Sequence, residues 1–173
     1  LEQMLEFAIC LNKPVVIRYP RGGKGKIKFE KHEKIELGKC EKIVENTFKN
    51  KDKCVTIIAI GNMVDKAVQV SKKLEEQNIK TEVINSRFLK PLDKEILETI
   101  QKTNNCIVIE DGIQIGGLGA TIKQMIMDAH MENIKIKCFA YPDKFIEHGS
   151  ISELEKKYGM DVDSIVSACI ENI

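Results

Sequence analysis

The chain has no long apolar run. Nothing in it approaches the ~18–20 consecutive apolar residues that span a bilayer, so a membrane-crossing helix is excluded. It also has no excess of charge. Twenty-seven Lys and Arg stand against 26 Asp and Glu, a formal net charge of +1. That balance argues against nucleic acid or an anionic membrane as partner, and it makes the many lysines a solvated helical surface. Cysteine occurs six times, at Cys10, Cys40, Cys54, Cys106, Cys138 and Cys169, with no CxxC and no accompanying His cluster. The scatter speaks against a disulfide framework and against a metal site. It predicts buried free thiols in a reducing, cytoplasmic setting. No signal-peptide pattern opens the chain. The first residue is Leu1 rather than Met, and LEQMLEFAICLNK reads as the middle of something, so a longer parent chain is expected.

What is present suits one domain with a sizeable core: 173 residues, 43% hydrophobic and 31% charged. Apolar residues at positions 1, 4, 5, 8 and 11 have helical spacing, and Asn12-Lys13-Pro14 ends that helix. PVVIRY (14–19) is apolar and β-branched and reads as a short strand. RGGKGKIKFEKHEK is rich in Gly and Lys, the profile of a linker. IELGKCEKIVEN then resembles an edge strand or hairpin. CVTIIAIG (54–61) is a continuous apolar run, as expected of a strand buried on both faces. Asn62 and Asp65 predict a capped start for the helix that follows.

Further strands are predicted at 81–86, 106–110 and 134–140. Further helices are predicted from Pro91-Leu92-Asp93 to Lys102, from Gly119 to Met131, from a Ser150/Glu153 capping box to Gly159, and from Asp161 to Ile170. Alternation of strands with helices predicts an α/β fold. It is a three-layer sandwich with a mostly parallel sheet and an antiparallel edge strand. Residues 1–21 read as the tail of a preceding domain, 22–37 as a linker and 38–173 as the domain proper.

Ligands of such folds gather beyond the carboxyl ends of the strands. Gly61-Asn62, Ser86-Arg87-Phe88, Glu110-Asp111-Gly112, Tyr141-Pro142-Asp143 and Glu147-His148-Gly149 fall there. EDGIQIGGLGA (110–120) follows a strand and opens a helix, as a phosphate cradle does. Its glycines, Gly112, Gly116, Gly117 and Gly119, lack the GxGxxG spacing, and the neighbouring EVINSR supplies no acidic partner. They read better as sites of positive φ and close helix–sheet packing. The GDG…N pattern that holds metal and diphosphate in thiamine diphosphate enzymes is absent. Glu110 stands in place of its first Gly, and Cys138 near the place of its Asn. His148 reads either as a structural histidine or as a proton shuttle or interface hydrogen-bonder. The residues alone thus describe an α/β domain without a complete active site.

RYPRG (18–22), INSRFLKPLD (84–93), VIEDGIQIGGLGA (108–120) and PDKFIEHGS (142–150) occur together and in order. In this the chain resembles the C-terminal part of the 1-deoxy-D-xylulose-5-phosphate synthases, with a transketolase C-terminal-like domain. SRFLKPLD and the Gly-rich turn would fit any transketolase-like domain; RYPRG with FIEHGS narrows the resemblance to the synthases. It implies a cytoplasmic homodimer using thiamine diphosphate and Mg2+ to condense pyruvate with D-glyceraldehyde 3-phosphate, releasing CO2 and feeding isoprenoid and thiamine biosynthesis. It implies that Arg21 grips the aldehyde's phosphate, with Tyr19 beside it, and that His148, Glu110 and Arg87 lie at an interface or sheet edge. Cofactor and metal are implied to sit in the missing N-terminal domains of the same chain, leaving this piece structural, dimer-supporting and inactive alone. The physics of Arg21 agrees: a guanidinium is a planar fork for phosphate, Pro20 stiffens the backbone, and Gly22-Gly23 lets the chain turn away. Arg18 reads as structural. Two other readings stand beside this one. The first is the C-terminal domain of a transketolase or of a 2-oxo acid dehydrogenase β subunit. The second is a non-catalytic, nucleotide-binding regulatory module.

Overall fold

The computed structural model describes residues 1–20, 34–49 and 53–171. Arg21 and the greater part of the 22–37 stretch lie outside the described residues.

Helix α1 (Glu2–Leu11) comes first and buries none of its residues. The strands among the described residues are β1 (Glu41–Val44), β2 (Cys54–Ala59), β3 (Lys80–Asn85), β4 (Asn105–Ile113) and β5 (Lys135–Tyr141). They form one sheet in the order β1-β3-β2-β4-β5. β1 pairs antiparallel with β3, and all other pairings are parallel. The other helices of the described residues are α2 (Met63–Glu76), α3 (Glu95–Thr103), α4 (Leu118–Asp128), α5 (Ile151–Lys157) and α6 (Val162–Ile170).

The three layers follow from the two-residue period of a strand. In β2, Val55, Ile57 and Ala59 face α2 and α6, together with Val83, Ile107, Ile109 and Phe139 of the neighbouring strands. Ile58 faces α3 and α4, with Ile84, Cys106 and Val108. All six residues of β2 are buried, as its unbroken apolar run requires. Thr56 is the polar exception. Its hydroxyl lies 2.9 Å from Thr103 Oγ1 and donates to the Thr99 carbonyl at 3.3 Å, so α3 satisfies it. Lys66 of α2 is likewise buried but paired. Its Nζ donates to the Met160 carbonyl at 2.7 Å and lies 2.6 Å from Glu155 Oε1, pinning the α5–α6 turn onto α2.

The predicted three-layer α/β fold with an antiparallel edge strand is the observed one. The capping box at α5 is present, with Ser150 Oγ accepting from the Glu153 amide and the Glu153 carboxylate from the Ser150 amide. Gly159 takes φ +66 after it.

Five local expectations need correction. Residues 14–20 form no strand; Val16 is 93% exposed, and among the described residues no strand lies beside this segment to pair with. Asn62 does not cap α2 with its side chain, which turns instead to Asp111. Helix α3 begins at Glu95 rather than at Pro91, with Asp93 standing outside its first turn. Its Oδ2 accepts from the Cys40 amide and its Oδ1 from the Glu95 amide, both at 3.0 Å, so it clips the approach to β1 onto the start of α3. Helix α4 ends at Asp128, short of Met131. Finally, the cysteines form no disulfide but are not uniformly buried: Cys54, Cys106 and Cys169 are, Cys40 and Cys138 are half-buried, and Cys10 is exposed on α1. Burial pushes the Cys169 thiol up to about 12, which leaves it protonated and inert at neutral pH.

Candidate functional site

Because β2 to β5 run parallel, their carboxyl ends open on one edge of the sheet. The turn after β4 dominates that edge. Glu110, near the end of β4, is buried. Its Oε2 accepts from the Leu118 amide at 2.8 Å and its Oε1 from the Gly119 amide at 2.9 Å. These are orphan donors of the first turn of α4, and a carboxylate there also suits the helix dipole. The glycines make this clasp possible. A Cβ on Gly117 would lie 2.6 Å from Glu110 Oε1 and 2.6 Å from the Ile113 carbonyl oxygen. One on Gly119 would lie 2.6 Å from Cys138 Sγ on β5. Gly116 alone of the four has positive φ, +72. The place a phosphate would take at the head of α4 is therefore filled by the protein's own carboxylate.

Asp111, the next residue, is bound on two sides. Its Oδ2 accepts from Asn62 Nδ2 at 3.0 Å, and its main-chain carbonyl accepts from Arg18 Nη2 at 3.1 Å. Asn62 stands at the head of α2, Asp111 lies in the last part of β4, and Arg18 comes from the segment after α1, so three distant parts of the sequence meet here. Tyr19 is next in the chain and 71% exposed.

The other candidate residues are dispersed. Arg87 sits after β3 with φ +52, and its guanidinium makes a bidentate pair with Glu41 of β1, 2.7 Å to Oε1 and 3.1 Å to Oε2. That pair fastens the antiparallel edge strand to the sheet. His148 is exposed in the loop before α5. Since β2 and β4 separate β3 from β5, Arg87 and His148 do not converge. Next to His148, Glu147 accepts from Tyr158 Oη at 2.6 Å and pairs with Lys157. Tyr158 stacks edge-on against Tyr141, ring centroids 5.5 Å apart, at the end of β5. Burial, then the Asp111 and Glu155 charges, raise the Tyr141 hydroxyl above its ordinary value, so it stays neutral.

Lys157, and after it Tyr158, hold the Glu147 carboxyl down to about 2 from an ordinary 4.5. A carboxyl lowered in the folded state contributes stability that is present above its unfolded value and lost as pH falls through the folded one. The contribution should therefore fade between about pH 4.5 and pH 2. NMR titration of the Glu147 side chain should show a midpoint near 2, moving part of the way back toward the ordinary range in Lys157→Met, since Tyr158 still donates to it.

Among the described residues no group of His, Cys, Asp and Glu could hold a metal ion. No described helix is long and apolar enough to cross a membrane. With the α4 terminus already occupied, the described residues do not fit thiamine diphosphate or its Mg2+.

Residues 46–165 match the family described as Transketolase, C-terminal domain. The chain belongs to that family. Two curated relatives illustrate the likeness. The 1-deoxy-D-xylulose-5-phosphate synthase of Clostridium perfringens is 41% identical over 174 residues, covering 99% of this chain and 27% of the relative. That of Caldanaerobacter subterraneus subsp. tengcongensis is 35% identical over 172 residues, covering 99% and 26%. The domain and its flanking residues thus span about a quarter of the length of these relatives. Among solved structures, a split-gene transketolase described as an inactive β4 tetramer superposes with TM-score 0.68 at 28% identity, over 89% of this chain and 46% of that one. The Campylobacter jejuni transketolase gives 0.55 at 17% identity, over 78% and 18%, which shows a shared fold.

The sequence reading brought out Glu110, but not its partner, the head of α4. It did not anticipate the Asn62–Asp111–Arg18 meeting point. The available signal was a polar residue in the turn between β2 and α2 and another in the last part of β4, the two strands being neighbours in a parallel sheet.

Proposed function

We propose that this chain is the C-terminal part of a 1-deoxy-D-xylulose-5-phosphate synthase, condensing pyruvate with D-glyceraldehyde 3-phosphate and releasing CO2. The observation that carries the proposal is likeness to such synthases along 99% of the chain, RYPRG and FIEHGS included, rather than over the shared domain alone. Thiamine diphosphate and Mg2+ belong to the remainder of the full-length protein, since the described residues here offer them no site. The part played by this chain is twofold. Arg21 grips the aldehyde's phosphate with Tyr19 beside it, and the α/β domain packs against the other domains and supports a cytoplasmic homodimer. The exposed apolar side chains of Leu1, just before α1, and of Leu5 and Ile9 on it suit such packing, as does Phe145 near the carboxyl edge.

The test is an assay of the full-length protein and of the 173-residue chain with pyruvate and D-glyceraldehyde 3-phosphate, cofactor and Mg2+ supplied. The full-length protein should form the pentulose phosphate and CO2; the short chain should form neither and show no saturable cofactor binding by calorimetry. Turnover by the short chain would refute its structural role. Failure of the full-length protein with pyruvate, but turnover with a ketose donor, would favour a transketolase.

A further inference from the structure

We infer that Asn62, Asp111 and Arg18 form a strut that fixes the course of residues 14–20 across the carboxyl edge of the sheet, and that Arg18 is thereby a positioning residue for the phosphate-bearing substrate. The second half of this inference rests on the functional reading above; the first does not.

The observations are geometric. Pairing of β4 with β5 is regular from Asn105 to Ile109 and resumes only at Ile113, opposite Tyr141. Residues 110–112 lie within that irregularity, of the kind that re-aims groups at sheet ends. The Asp111 carbonyl takes Arg18 Nη2 instead, at 3.1 Å. The carbonyl is not free to wander. Glu110, one residue before, is clasped by the Leu118 and Gly119 amides. The Asp111 carboxylate is held by Asn62 Nδ2 at 3.0 Å, and Asn62 stands at the head of α2, whose first residue, Met63, is buried. The acceptor is thus anchored to two helices before the guanidinium reaches it.

The donor side needs such an anchor. Residues 14–20 have no strand partner among the described residues, and Val16, Tyr19 and Arg18 itself are exposed. A charge-assisted bond from Arg18 to a rigid carbonyl orders a segment that has little packing of its own. Farther back, the edge-on contact of Phe7 with Phe88, centroids 5.7 Å apart, ties α1 to the turn after β3. Tyr19 follows Arg18 directly, so an error in the position of Arg18 passes into the residues after it and weakens their hold on a bound substrate before it touches the chemistry.

The test uses the full-length protein and three variants, Arg18→Ala, Asn62→Ala and the double variant. Arg18→Ala should raise KM for D-glyceraldehyde 3-phosphate about fivefold with kcat and KM for pyruvate little changed, and Arg18→Lys should recover part of it. Asn62→Ala, which leaves Arg18 intact, should move the same KM in the same direction, and the double variant should fall short of the product of the two. Tryptic cleavage after Arg18 should be faster in Asn62→Ala than in the wild type, whatever the enzyme's activity. An unchanged cleavage rate overturns the strut. A KM effect of Arg18→Ala with Asn62→Ala neutral overturns positioning in favour of direct contact, and no effect of either variant on any KM overturns the positioning role. Lack of wild-type turnover, with cleavage still accelerated, removes the functional reading and leaves the strut standing.

Discussion

Replacing Arg21 by alanine in the full-length protein is expected to raise KM for D-glyceraldehyde 3-phosphate about a hundredfold, leaving KM for pyruvate within about twofold. The asymmetry comes from chemistry. Of the two substrates only the aldehyde carries a phosphate, and a guanidinium fork binds phosphate through two parallel hydrogen bonds. Removing it leaves a dianion to be held by water and by weaker donors, at a cost of about 3 kcal/mol. Arg21→Lys should fall between, since an ammonium supplies charge without the fork. Separate steady-state titrations of the two substrates decide the matter. Equal losses for both would mean that Arg21 holds the protein together rather than the phosphate. No loss for either would return RYPRGG (18–23) to the end of one segment and the start of a linker.

How much of this could be read from residues alone depended on which physical signal each element carries. β2 announced itself because a strand buried on both faces must be apolar throughout, and CVTIIA is, with one threonine that α3 satisfies. The Ser150/Glu153 box was legible because its two partners lie three residues apart in the chain. Asn62 misled for the same reason in reverse. Its local pattern is that of a cap, but its backbone is already helical and its Nδ2 donates to Asp111 of β4, 49 residues away. Asp93 likewise takes a partner 53 residues away, the Cys40 amide, while it also accepts from the Glu95 amide at the head of α3. PVVIRY had the composition of a strand, yet a strand exists only where another pairs with it. Of the glycines of 112–119, Gly117 and Gly119 are the packing devices expected, and only Gly116 takes the expected positive φ. What no local pattern disclosed was the object they pack against: a carboxylate one turn of chain earlier.

That carboxylate makes the second strong prediction. Glu110→Ala should destabilise the domain by about 3 kcal/mol, because it strands the buried Leu118 and Gly119 amides and opens a void at the head of α4. Gly117→Ala should cost about as much or more, since its new Cβ has nowhere to go between both Glu110 oxygens and the Ile113 carbonyl. The pair should not add. Once Glu110 is gone, part of the clash at Gly117 goes with it, so the double variant should lose less than the sum. Urea unfolding of the chain, followed by circular dichroism, reads all three. Additive losses would mean that the clasp is not what the glycines serve. The same variants separate this role from a phosphate cradle. A cradle predicts that wild type binds a nucleotide saturably in calorimetry and that Gly117→Val abolishes it. The clasp predicts no such binding in wild type, and binding of an anion only after Glu110→Ala vacates the helix terminus, because the orphan amides and the dipole then have no partner of their own.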